Sequence, residues 1–197
     1  MFPEKQNRYW DTIGFALLLM WFAYFQGLMA VAVILFASSI HELGHLTVLW
    51  LAGSRMKRFS LAVDGMEIRA DSLRLSYPWE MAAVLAGPVA NLAAGGILGA
   101  VGSTVQWSAA AAGACWVLGI FNLLPAVPLD GWRILQLLFG WRWGPQGERA
   151  AAICGGIGAY LVAALLLILM YFSGGNLWLL PAVVSSALSG TKVLCED

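Results

Sequence analysis

The chain has 197 residues, 60% of them hydrophobic and only 11% charged, whereas ordinary soluble domains carry about 25% charged residues. Eleven Lys and Arg balance eleven Asp and Glu, so no global electrostatic attraction to nucleic acid is expected. Long apolar stretches recur from end to end. Together these features predict an all-α integral membrane protein in the lipid bilayer. The expected architecture is a polytopic bundle of about six transmembrane helices with a small β-hairpin on the cytoplasmic side, forming one domain over residues 1–197.

In chain order, the first apolar segment covers about residues 12–25. It follows a polar start and lacks a small-residue cleavage site, so it reads as a span rather than a signal peptide. The second segment, about 28–51, contains "SSIHELGHLTVLW" (38–50). Between Thr12 and Ile40 no residue is charged. Then His41, Glu42 and His45 follow within little more than one helical turn, and these are the only two histidines of the chain. Residues 59–69, "FSLAVDGMEIR", alternate in polarity around Asp64-Gly65, which predicts a hairpin with its turn at that dipeptide. Such a hairpin either lies on the membrane surface or helps to hold a substrate. Further apolar segments are expected at about 81–101, 108–124, 150–172 and 176–188. The first and last of the six are short for a bilayer that requires ~20 residues.

The charges orient this arrangement. All eleven Lys and Arg fall in 1–11, 53–80, 125–149 and 190–197. These stretches are the cytoplasmic tails and connecting loops if both termini are cytoplasmic, as the excess of positive charge on the inner side requires. Cys115, Cys154 and Cys195 are scattered without a CxxC pair. The first two read as packing residues in apolar segments and the third as a free thiol in a reducing compartment.

His41-Glu42-Leu43-Gly44-His45 fits H-E-x-x-H. Positions i and i+4 share one face of a helix, so two imidazoles can converge on a metal ion, with Glu42 beside them as a proton acceptor. Three ionisable side chains within a turn at bilayer depth are costly to insert, and functional by default. Catalytic zinc commonly takes a third protein ligand, and the chain has no third histidine. Most carboxylates lie in polar segments or tails. Asp130 instead sits in "FNLLPAVPLDGWRI" (121–134), where Pro125 and Pro128 interrupt the helix and Gly131 permits a tight turn. Irregular backbone near membrane depth occurs where protein or a water-filled cavity surrounds it. The alternatives for Asp130 are a helix cap or a salt bridge to Arg133. Asn122, about two turns earlier, either hydrogen-bonds a substrate carbonyl or bridges two helices.

HELGH in one apolar segment, "AGPVANL" (86–92) in the next and "NLLPAVPLDG" (122–131) in a third resemble the site-2 protease family of intramembrane zinc metalloproteases, over roughly residues 28–140. The compact layout is similar to the branch that processes sporulation sigma factors, without that branch's nucleotide-sensing CBS domain and without a PDZ insertion. The resemblance implies one zinc ion per chain held by His41, His45 and Asp130. It makes Glu42 the general base and acid, and gives Asn122 contact with substrate or oxyanion. Gly87, Pro88 and Asn91 would shape the packing of their helix. The implied activity is hydrolysis of peptide bonds within or near the transmembrane segment of a membrane-protein substrate, with a regulatory membrane partner left open. Competing readings are a metal or ion transporter and an inactive membrane scaffold. Polar residues do not continue toward the outer side, against the first, and Glu42 is intact, against the second.

Overall fold

The structure, a computed structural model, describes residues 20, 22–54, 56–62, 65–70, 75–101, 106–174 and 177–195. Helix α1 is Leu28–Leu51, and it coincides with the second predicted segment. Its end is set by Gly53, whose positive φ an L side chain rarely adopts. Strands β1 (Met56–Ala62) and β2 (Gly65–Ala70) pair antiparallel. Next come α2 (Tyr77–Val101), α3 (Gln106–Asn122), α4 (Asp130–Trp143), α5 (Pro145–Phe172), a 3-10 turn at Leu177–Leu179, and α6 (Leu180–Cys195). Among the described residues, α1, α2 and α5 are long and apolar enough to cross a membrane, while Trp107–Asn122 and Leu180–Cys195 are shorter apolar helices. The predicted span at 12–25 lies mostly outside the described residues; Met20 and residues 22–26 are helical.

Two compact units, Met1–Trp116 and Val117–Asp197, divide the chain within α3. In the first, α1 packs on α2. Ala83, Gly87, Asn91 and Gly95 are all buried, and their four-residue spacing puts them on one face of α2. Gly44 is the reason the two helices approach so closely: a Cβ there would stand 2.8 Å from the Ala90 Cβ and 2.5 Å from the Ala86 carbonyl oxygen. The outward faces remain apolar, with Leu28, Leu43 and Ile97 more than half exposed, as lipid-facing positions require.

In the strand pair, Phe59 is in register with Ile68 and Leu61 with Met66, with an irregularity between Met56 and Arg58. Gly65 pairs with Ala62 and so belongs to β2 instead of forming the turn; Val63 and Asp64 lie outside the described residues.

In the second unit, α4 packs on α5 and α5 on α6. Gly147, Ala151, Gly155, Ala159 and Ala163 form a buried stripe of small residues at every fourth position of α5, which allows close helix contact. The sequence reading of 125–149 as a connecting loop requires correction, because residues 130–143 are helical. Their Arg and Gln content gave a polar average, yet the segment is a helix packed on α5. The last segment, expected at 176–188, also shifts: Leu177–Leu179 form a 3-10 turn and Leu180–Cys195 a helix. Cys115 is buried as expected, whereas Cys154 is exposed on α5.

Candidate metal centre

The first half of the site is built on α1 and α2. His41 is buried and His45 half-buried, one turn apart. Their rings meet edge to face, with centroids 4.7 Å apart and an interplanar angle of 83°. This brings the two Nε2 atoms to 3.1 Å. Two nitrogens on one tetrahedral zinc at ~2.0–2.1 Å would be about 3.3 Å apart, so the pair fits a shared metal ion.

Each outer nitrogen is held by α2. His45 Nδ1 lies 2.7 Å from the Ala83 carbonyl oxygen. A carbonyl only accepts, so His45 donates from Nδ1 and its Nε2 carries a lone pair. His41 Nδ1 lies 3.4 Å from Asn91 Nδ2, and Asn91 is fully buried. Holding the outer nitrogen of a ligating histidine fixes its tautomer and ring orientation. Between these contacts, Gly87 leaves a notch. A Cβ there would overlap His45 Nε2 and stand 2.9 Å from His41 Cε1. Glu42, the next residue along α1, is half-buried. The neighbouring hydroxyls take no part: Ser39 Oγ donates to Leu35 O and Thr47 Oγ1 to Leu43 O, both at 2.7 Å.

Asp130 and Asn122 belong to the second unit. Helix α3 stops at Asn122, and residues 123–129 turn irregularly through a cis Val127-Pro128 bond. Asp130 is the first residue of α4, one past its N-cap Leu129. It is therefore not the cap, although its charge suits the positive helix end. Gly131 serves close approach and not a turn conformation. Its φ is not positive, and a Cβ on it would overlap the Leu123 and Leu124 carbonyl oxygens. The segment is braced on α5, where Val127 N–H donates to Gly155 O at 3.1 Å and Trp132 Nε1–H to Ala151 O at 3.1 Å. Asn122 Nδ2 donates to Leu118 O at 3.0 Å.

The sequence reading gave Gly87 and Asn91 to packing alone. The structure puts both against the histidines. The signal for this was available: G-x-x-x-N repeats on α2 the i, i+4 spacing of the histidines on α1.

The fold is that of a solved structure, "Site-2 Protease from Methanocaldococcus jannaschii", with a TM-score of 0.69 and 20% identity, covering 91% of this chain and 87% of that one. In sequence, the chain is 31% identical over 166 residues to "Putative zinc metalloprotease Rip3" of two strains of Mycobacterium tuberculosis, covering 75% of this chain. The solved structure shares its fold with this chain, and the sequence likeness is to a protein named as a zinc metalloprotease. The chain spans 42% of the length of those curated relatives. No family model matches the chain. The paired imidazoles of the HELGH helix lie within one compact unit.

Proposed function

We propose that this chain is a member of the site-2 protease family, a zinc-dependent endopeptidase of the membrane that cuts peptide bonds within or near the transmembrane segment of membrane-protein substrates in regulated intramembrane proteolysis. The observation that carries the reading is the 3.1 Å separation of His41 Nε2 and His45 Nε2, with Glu42 adjoining the pair. The name borne by the mycobacterial relatives points the same way.

His41, His45 and Asp130 would hold one zinc ion, each through one donor atom. Bound there, zinc would acidify a water molecule and polarise the scissile carbonyl. Glu42 takes the proton of the attacking water and returns it to the leaving amine. Asn122 keeps a second amide hydrogen beyond the one donated to Leu118, and that hydrogen serves the developing oxyanion. Carbonyls of a helical substrate are already hydrogen-bonded, so the scissile segment must unwind. The β1–β2 pair offers an edge on which the extended chain adds as a strand. Six spans, cytoplasmic termini and a cytoplasmic-side site are the arrangement that the distribution of Lys and Arg supports.

The test uses detergent-purified full chain with a membrane-embedded reporter. Wild type should carry about one zinc per chain and cleave. Glu42→Gln should keep the zinc and lose cleavage by about 10²–10⁴-fold, and Asp130→Ala should lose both. A Glu42→Gln variant cleaving at the wild-type rate rejects this mechanism.

A further inference from the structure

Asn91 is the most completely buried large polar side chain of the described molecule. Its Oδ1 has no hydrogen-bond partner among the described residues, while its Nδ2 faces His41 Nδ1 at 3.4 Å. A metal held on both Nε2 atoms sets a requirement at each outer nitrogen. His45 Nδ1 meets it by donating to Ala83 O. His41 Nδ1 then carries its ring proton in the same way and needs an acceptor. The amide of Asn91 provides one by turning about its last bond, because that exchanges Nδ2 for Oδ1 without changing the side chain's shape.

We propose that Asn91 is a positioning residue for the metal centre: it accepts through Oδ1 from the Nδ1–H of His41 when Nε2 of that ring is given to the metal. This deepens the zinc reading and rests on it. An isosteric apolar side chain at position 91 removes that acceptor. Aspartate keeps the acceptor and shape and favours the ligating tautomer outright.

The experiment measures zinc affinity by chelator competition at one fixed pH in wild type, Asn91→Asp and Asn91→Leu. In parallel, ¹⁵N shifts of the His41 ring are recorded on protein stripped of metal. The proposal expects Asn91→Leu to bind zinc about 10–100-fold more weakly. Asn91→Asp should bind at least as tightly as wild type, with the stripped His41 shifted toward a proton on Nδ1. A purely structural role would lower the thermal midpoint of Asn91→Leu and leave its zinc affinity unchanged, and that result overturns the proposal. So does an Asn91→Asp protein as weak as Asn91→Leu. Where Asn91→Leu does not fold, Asn91→Asp decides alone, and weaker zinc binding than wild type rejects the idea. Wild type that binds no zinc defeats the zinc reading itself, whereas tight wild-type binding with an indifferent position 91 defeats only the role of Asn91.

Discussion

Gly87 lies so close to His45 that a single added methyl group would occupy the space in front of Nε2, 2.6 Å from Cε1 of the same ring. A glycine in mid-helix is less favourable than alanine by about 0.8–1.0 kcal/mol, so helix formation alone would favour alanine here. The notch accounts for the glycine. Gly87→Ala should therefore keep or raise helical content by circular dichroism while weakening zinc binding on the order of tenfold or more. Unchanged zinc affinity in that variant would mean that the notch is incidental.

Gly131 plays the corresponding part in the second unit, since it lets the start of α4 rest on the carbonyls of Leu123 and Leu124. Gly131→Ala should destabilise the protein by about 1–3 kcal/mol through overpacking, read as a lower thermal midpoint in detergent. On the proposed ligation it should also weaken zinc, because Asp130 adjoins the displaced residue. Wild-type melting and zinc content together would contradict both expectations.

The strand pair separates metal binding from substrate handling. Leu61 pairs with Met66 in the middle of the ladder, and proline there removes a backbone donor. With the strands proposed to hold the extended substrate, Leu61→Pro should retain its zinc and cleave the reporter about 10²-fold more slowly, the scale of a misplaced substrate. Full turnover in this variant would leave the hairpin without a substrate role.

Much of the first unit was legible in the sequence. Helix α1 matches its apolar segment end to end, because Gly27 and Gly53, both at positive φ, bracket the apolar run and leave the boundaries little freedom. The paired histidines followed from spacing alone. Helix α4 was missed because Pro125, Pro128 and the arginines of 125–149 imitate a loop; its packing on α5 is a tertiary property that local composition does not encode. Gly87 and Asn91 were assigned to packing for a similar reason. A small residue and a buried amide look the same in sequence whether their neighbour is a leucine or an imidazole.

His45 is steadied by the main chain at Ala83, and His41 by the side chain of Asn91. Every amino acid at position 83 would bring the same carbonyl, so natural variation cannot easily loosen that hold. Position 91 is different, since its chemistry changes with each codon. The two histidines of one short motif thus differ in evolvability: of the two contacts that steady their outer nitrogens, the one to His41 is open to tuning by substitution, and it sits on the neighbouring helix rather than in HELGH.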